Sequence, residues 1–135
     1  MKRIFSTKYS DRSLSFALLL LRLSLGGLMI PHGYQKLMNF AAKSSGFTDP
    51  FHIGGPASMG LTIFAEFFCA IFILVGFATR FSCIPLIIAM AVAVFHAHKG
   101  QILGDAETAT LFMMGYTALL FAGPGKFSVD RLIGK

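Results

Sequence analysis

Two charged residues lie inside long apolar runs of the sequence. Arg22 interrupts LSFALLLLRLSLGGLMI, and Glu66 interrupts SMGLTIFAEFFCAIFILVGF. A charged side chain near the centre of a membrane helix costs about 2.5–3.5 kcal/mol on insertion scales, so such residues need a partner or a function. Counted from the outer ends of their apolar segments, Arg22 lies about 12 Å deep and Glu66 about 10 Å deep. These matched depths predict an Arg22–Glu66 ion pair, which either fixes helix register or lines a cavity that holds a polar headgroup or relays protons.

A second set of polar residues lies near the outer ends of the apolar segments. His32, Gln35 and Lys36 are three and four residues apart and therefore share one face of a helix. The other members of the set are His96, His98, Asp105 and Glu107. Imidazole and carboxylate groups in such a cluster suit hydrogen bonding and proton exchange near neutral pH. The alternative is that these residues only occupy the membrane interface.

Metal binding is the less favoured chemistry for this second set. Neutral imidazoles and a carboxylate would be the ligands, drawn from His32, His96 or His98, and Glu107. However, His96 and His98 are two residues apart, so they point about 200° apart around a helix and only one of them can face inward. An acidic residue in the first turn of a helix also stabilises the helix dipole without any ligand. The sequence therefore predicts no metal site.

The composition identifies a membrane protein. Of the 135 residues, 55% are hydrophobic and 13% are charged, with a mean hydropathy of +0.69, whereas soluble domains have about 25% charged residues. The net charge of +6 does not indicate nucleic-acid binding, because the lysines and arginines flank the apolar runs instead of forming one basic stripe. Crossing a bilayer takes about 17–25 apolar residues. The segments of that length cover residues 13–38, 58–77, 81–98 and 106–122.

These segments predict a single all-α membrane domain, an antiparallel bundle of four transmembrane helices. The outer loop over about 39–57 is long, but its Asp-Pro and Gly-Gly-Pro turns argue against a fifth span. Eight lysines and arginines fall on the side of the two termini and three on the other side, so we expect both termini in the cytoplasm. Residues 123–135 are expected to form an amphipathic tail on the inner surface.

The first two segments resemble a known family. RLSLGGLMIPHGYQKL is similar to the first-helix signature of the DoxX family of small bacterial membrane proteins, through Arg22, Gly26, His32, Gly33 and Lys36. FAEFFCAIFILVGFATR resembles the second helix of that family, through Glu66, Leu74, Gly76 and Arg80. The outer His96 and the ending GPGKFSVD also fit, so the resemblance covers essentially the whole chain.

The DoxX family is named for the small subunit of an archaeal thiosulfate:quinone oxidoreductase, and other members are linked to membrane oxidoreductase complexes. The resemblance therefore implies a protein of the bacterial inner membrane with a quinone-linked redox role, acting with partner subunits or as a homo-oligomer. The sequence carries no CxxCH motif, no iron–sulfur cysteine set and no nucleotide-binding fingerprint. Its two cysteines, Cys69 and Cys83, form no CxxC pattern.

Three functions are compatible with these residues. In the first, a quinone-linked subunit, the candidate catalytic residues are Glu66, Arg22, His32 and His96. The candidate quinone-binding residues are Arg22, Glu66, His32, Lys36 and Glu107, because a quinone needs apolar walls and a hydrogen-bond partner at each carbonyl. The second function is a non-enzymatic scaffold or accessory subunit, in which the polar residues only hold the helices together. The third is a small proton or solute transporter that acts as an oligomer.

Overall fold

The structure is a computed structural model that describes residues 4–47, 49–97, 104 and 106–134, apart from the side chains of residues 96 and 97. Every regular element in this part of the chain is helical, so the described chain is all-α, as the sequence predicts. The helices are α1 (Asp11–Met38), α2 (Phe40–Lys43), α3 (Gly55–Val75), α4 (Thr79–Val92), α5 (Glu107–Ala122) and α6 (Val129–Leu132). A π-helical turn, Phe64–Cys69, lies inside α3, and a second, Ala93–Ala97, continues α4.

Helices α1 and α3 are long and apolar enough to cross a membrane. Their 28 and 21 residues correspond to about 42 and 32 Å, against a hydrocarbon core of about 30 Å. Helix α4 is apolar but shorter, and α5 has 16 residues. The segments predicted at 81–98 and 106–122 therefore contain helices whose length alone does not identify a span.

Close contact between α1 and α3 depends on glycine. A Cβ atom on Gly33 would lie 2.6 Å from the carbonyl carbon of Glu66 and 2.6 Å from the backbone nitrogen of Phe67. A Cβ atom on Gly26 would lie 2.8 Å from the carbonyl oxygen of Ala70. Residue numbers thus fall along α1 as they rise along α3, so the two helices are antiparallel. Small residues let helix backbones approach in this way.

The other face of α1 packs against α5. The side chain of Leu25 lies over Gly115, and the fully buried Tyr116 hydroxyl donates a hydrogen bond to the Leu25 carbonyl oxygen at 2.9 Å. Helix α4 packs against α5 and against the π-turn of α3. The buried core is therefore shared by α1, α3, α4 and α5.

The loop between α1 and α3 folds back onto the helices. After α2 and a 3₁₀ turn over Ser44–Gly46, Asp49 accepts hydrogen bonds from the Ile53 and Gly54 amides and from the Ser58 hydroxyl, at 3.0, 2.7 and 2.8 Å. These bonds fix the start of α3, which begins at Gly55 where the sequence predicts 58. Phe47, Pro50 and Phe51 then line an apolar cavity of about 360 Å³ together with residues of α3 and α4.

Candidate functional site

Glu66 lies in the π-turn that interrupts α3. This turn, Phe64–Cys69, replaces regular α-helical hydrogen bonding where α3 faces α1 and α4. Such π-turns inside α-helices are frequent at functional sites, because the widened turn re-aims side chains. Glu66 is buried, with 4% of its surface exposed. A buried carboxylate in hydrocarbon needs a donor, and its partner therefore decides its role.

That partner is Lys36 from the last turns of α1. The Lys36 ammonium lies 2.6 Å from Oε1 of Glu66, and the two side chains are 31% and 5% exposed. Charge-assisted hydrogen bonds are shorter than neutral ones, and the partial exposure of Lys36 lets solvent screen part of the attraction. Glu66 is thus enclosed, while Lys36 connects it to the exposed surface at the outer end of α1.

The pair faces the junction of α1, α3 and α5. Eleven residues separate Leu25 from Lys36, which is close to three turns, so both lie on the face of α1 that packs against α5. His32 lies on the same face, one turn before Lys36, and its ring meets Phe112 of α5 edge-on with centroids 6.4 Å apart. Phe112 in turn stacks on Tyr116 at 6.0 Å. Cationic, imidazole and aromatic groups therefore lie together on the face of α1 that meets α5.

The predicted Arg22–Glu66 ion pair is wrong. Gly33 is level with Glu66, and Arg22 lies eleven residues before Gly33, or about 16 Å along α1. The sequence-based depth was counted from Ile30, the end of the apolar core, and left out the polar turns of the same helix that reach Met38. Side chains also tilt toward the N-terminus of their own helix, so on these antiparallel helices Arg22 and Glu66 tilt away from each other.

Arg22 instead holds backbone carbonyl groups at the end of the molecule where α3 and α5 end. Its guanidinium donates to the carbonyl oxygens of Pro124 at 3.0 Å, Leu74 at 3.1 Å and Ile73 at 3.4 Å, and to that of Phe127. Arg22 is 1% exposed. The guanidinium therefore ties α1 to the end of α3 and to the segment after α5, and its donors are directed at the protein itself.

The segment after α5 is docked by these bonds. Asp130 accepts hydrogen bonds from the Ala78 and Thr79 amides at 2.7 and 2.9 Å, and its own amide donates to the Gly76 carbonyl at 2.9 Å. Gly76 has a φ of +78°, and a Cβ atom there would lie 2.5 Å from Ser128. The expected inner tail is thus anchored to the helix ends through residues 124–130, and its apolar Leu132 stays exposed.

The remaining predicted site residues are only partly assembled. His32 and Glu107 are both exposed, and no hydrogen bond joins them in the described part of the chain. His96 lies in the π-turn that continues α4, outside the described side chains. His98 and Asp105 lie outside the described residues. Among the residues that the structure describes, no group of three or more histidines, cysteines or acids is placed to hold a metal.

Two features of the site were not predicted. Lys36 was expected to bind a cofactor but not to pair with Glu66, and Tyr116 was not singled out at all. The first had a signal: the Gly33 and Gly26 spacing sets the helix register and brings Lys36 to the level of Glu66. The hydrogen bond of Tyr116 had no sequence signal, since a tyrosine hydroxyl in an apolar segment can donate to any nearby backbone carbonyl.

The site offers part of what a quinone ring requires. Lys36 has further N–H donors beyond the one used by Glu66, and His32 lies one turn away. Phe112 provides an apolar wall. The apolar cavity of about 360 Å³ is lined by Phe64 and Ala65 of α3 and not by the described Glu66. Lys36, His32 and Phe112 are the described residues that would hold a quinone headgroup, and none of them lines that cavity.

Comparison with known proteins gives two matches. The family model described as DoxX matches residues 17–99, a range that includes Arg22, His32, Lys36 and Glu66. The chain is also 30% identical over 135 residues to "Uncharacterized membrane protein Rv3486" of Mycobacterium tuberculosis, covering 85% of this chain and 80% of that protein. No solved structure matches.

Proposed function

This chain belongs to the DoxX family of membrane proteins, and from that premise we propose that it is a subunit of a quinone-linked oxidoreductase in the bacterial inner membrane. The observation that carries the proposal is the Lys36–Glu66 pair, in which an enclosed carboxylate meets a partly exposed ammonium at 2.6 Å. An ionisable pair inside a membrane protein is a candidate for ligand binding or proton transfer. The subunit would act with redox partner subunits or as a homo-oligomer.

The proposal includes a four-span topology with both termini in the cytoplasm. The packing of α4 and α5 against each other and against α1 and α3 supports one antiparallel bundle, and the excess of basic residues beside the termini supports the orientation. Fusions to the C-terminus test it in living bacteria. We expect a fluorescent protein to be active there and a periplasm-dependent phosphatase to be inactive, and the reverse result would refute this orientation.

A bound quinone accepts electrons and protons in redox chemistry. The contribution of this chain is to bind and to supply protons: the Lys36 ammonium keeps donors for a carbonyl oxygen while it holds the Glu66 carboxylate. His32, exposed and one turn from Lys36, exchanges protons at the outer surface. Electrons are supplied by a partner subunit. Arg22, a predicted catalytic residue, has no part in this chemistry because its donors are bound to backbone carbonyls.

Quinone binding to purified protein in nanodiscs tests the proposal. Short-chain ubiquinone and menaquinone analogues are titrated, and bound quinone is measured after the free quinone is separated. We expect Glu66→Gln and Lys36→Met each to weaken binding about tenfold or more. Lys36→Met removes the donor to the quinone carbonyl, and Glu66→Gln removes the carboxylate charge that holds the Lys36 ammonium in place. The matched controls, Asp11→Asn and Lys43→Met, alter exposed charges that do not belong to the Lys36–Glu66 pair. Equal binding by all five proteins, including the parent, would refute the proposal.

A non-enzymatic scaffold is the second candidate, and the Arg22 network favours it. Four carbonyl groups from distant segments converge on one buried guanidinium, which is what a purely structural charge does. In that case Lys36 and Glu66 would also matter only for stability. Loss of quinone binding in Glu66→Gln with an unchanged unfolding temperature would exclude this alternative for the outer pair.

A further inference from the structure

A basic cavity lies at the opposite end of the molecule from the Lys36–Glu66 pair. Its volume is about 500 Å³, and it lies between the start of α4 and the segment that follows α5. The charged side chains that line it are Arg80, Lys126, Arg131 and Asp130. A volume of this size is in the range that holds small molecules or headgroups.

The one acidic group in the described lining offsets only one of the three basic charges. Both carboxylate oxygens of Asp130 accept backbone hydrogen bonds, from Ala78 and Thr79 at the start of α4. Asp130 therefore caps a helix N-terminus, where a negative charge is stabilised by the orphan amides. The cavity is therefore lined by three cationic side chains and by one carboxylate whose two oxygens are hydrogen-bonded to the backbone.

The cationic side chains are weakly engaged. Arg80 is exposed and donates one long hydrogen bond, to the Phe121 carbonyl at 3.5 Å. Lys126 lies 3.6 Å from Asp11, with both side chains more than half exposed. For the Arg131 guanidinium, no hydrogen bond is found within the described chain, and the residue is exposed. These groups retain the donors that an anionic oxygen needs.

The backbone around the cavity is shaped for such an approach. Gly123 and Gly125 both have a φ of +84°, and a Cβ atom on Gly123 would lie 3.0 Å from the Arg80 guanidinium. The turn between them is held by Arg22 through the Pro124 carbonyl. Gly123 thus leaves space beside Arg80, and Arg22 holds the Gly123–Gly125 turn in place.

We infer that this cavity binds the phosphate group of an anionic molecule, and that a membrane lipid supplies it. Guanidinium groups match phosphate geometry through paired N–H donors. Phe81 and Phe121, which are 67% and 80% exposed, flank the helix ends beside the cavity, as aromatic residues do at the membrane interface. The inference rests on the membrane topology proposed above but not on quinone binding. Basic pockets at this depth are suited to anionic headgroups.

Native mass spectrometry of the full-length protein in detergent tests this inference. Phosphatidylglycerol and phosphatidylcholine with identical acyl chains are added separately, and the bound fraction is compared. We expect phosphatidylglycerol to be preferred in the parent protein. Arg131→Gln should weaken its binding about fivefold, and the double variant Arg80→Gln/Arg131→Gln should weaken it about 25-fold, since each basic group near a membrane surface contributes about one such factor.

Arg12→Gln is the matched control, because it removes an exposed arginine near the same end but outside the cavity lining. It should bind phosphatidylglycerol as the parent does. Unfolding temperatures are measured in parallel, so that a misfolded variant is recognised and Arg131→Gln alone can carry the comparison. Equal binding of the two lipids, or an equal loss in Arg12→Gln, would overturn the inference.

A competition arm identifies the source of the phosphate. If a lipid occupies the cavity, millimolar glycerol 3-phosphate should leave phosphatidylglycerol bound. If a free phosphate compound is the ligand, glycerol 3-phosphate should bind to the parent, fail to bind to the double variant and displace the lipid. Glu66→Gln should retain the preference for phosphatidylglycerol. This separates failure of the cavity from failure of the quinone site.

Discussion

The two ends of this molecule treat buried charge differently. At the end where α3 and α5 end, Arg22 is 1% exposed and donates to backbone carbonyls from α3 and the segment after α5. At the end where α1 ends, Glu66 is buried in the π-turn of α3, but its partner Lys36 remains 31% exposed. A charge whose hydrogen bonds all go to the backbone stabilises the fold and has no donor left for a ligand. A charge pair with one exposed member keeps capacity to bind and to exchange protons.

Replacement of Arg22 should give the largest loss of stability. Arg22→Met leaves four carbonyl groups without their donor and releases the segment after α5 from α1 and α3. We expect a loss of about 3 kcal/mol or more, because each buried carbonyl left without its donor costs about 1–3 kcal/mol. The loss is measured as the unfolding temperature and as expression of folded protein in detergent. Arg22→Lys should rescue little, because an ammonium lacks the planar fork that reaches carbonyls on several sides. An Arg22→Met protein as stable as the parent would contradict the structural role of Arg22.

Gly33→Ala should have the second largest effect. Its methyl group would lie 2.6 Å from backbone atoms of Glu66 and Phe67, so α1 and α3 must separate at the outer site. We expect a destabilisation of about 1–3 kcal/mol from overpacking. Gly60→Ala is the matched control within α3, since a Cβ atom there meets nothing within 4 Å, and it should leave stability unchanged or raise it slightly. Equal effects of the two substitutions would contradict the close approach of the helices.

Asp130→Ala should cost less than either change. It removes the cap on the Ala78 and Thr79 amides, and losing a capping side chain costs about 0.5–2 kcal/mol. Chemical denaturation in a mild detergent measures the difference, with Asp11→Ala as the control at an exposed acidic residue. If Asp11→Ala is as damaging as Asp130→Ala, the docking of the segment after α5 is not the important interaction.

The outer pair should contribute little to stability. A double-mutant cycle of Lys36→Met and Glu66→Gln measures the coupling between the two side chains directly. We expect about 1 kcal/mol or less, because Lys36 is partly exposed and solvent screens part of the attraction. A coupling several times larger would indicate that the Lys36–Glu66 pair mainly stabilises the fold, as Arg22 does.

The smallest expected effect is local and depends on pH. Hydrogen bonds from Ser58, Gly54 and Ile53 and the nearby His52 outweigh the opposing effect of desolvation and lower the pKa of Asp49 below its usual 3.8. A carboxyl group with a lowered folded-state pKa stabilises the fold above its unfolded-state pKa, and this stabilisation is lost as the pH falls through the folded-state value. The Ile53 and Gly54 amide resonances, followed by NMR, should therefore shift only below about pH 4. Asp49→Asn should abolish that shift.

The helices of this chain could be predicted because a run of about 20 apolar residues has few other uses. Segments 13–38 and 58–77 correspond to α1 and α3, which begin two and three residues earlier in the structure. The pairing of charges could not be predicted in the same way. The depth of Arg22 was counted from the end of the apolar core, which left out the polar turns of α1 up to Met38, and the direction in which side chains tilt was not considered. As a result, Arg22 was expected to pair with Glu66, whereas the structure pairs Glu66 with Lys36.

Two further features, the π-turn in α3 and the docking of the segment after α5, could not be predicted from hydropathy. The π-turn around Glu66 depends on how α3 packs against its neighbours. The docking of the segment after α5 depends on carbonyl groups, which every residue carries, so GPGKFSVD predicted a helix stop but not the contact of Pro124 and Phe127 with Arg22.

The central claim is that Arg22 stabilises the fold whereas the Lys36–Glu66 pair binds a ligand. The most direct test is the rise in unfolding temperature that a saturating short-chain quinone produces. A ligand at 100 times its Kd stabilises the native state by about 2.7 kcal/mol. We predict that Arg22→Lys unfolds at a lower temperature but keeps this quinone-induced rise. Glu66→Gln should unfold near the parent temperature and lose the rise. A rise that disappears in Arg22→Lys and persists in Glu66→Gln would contradict the account.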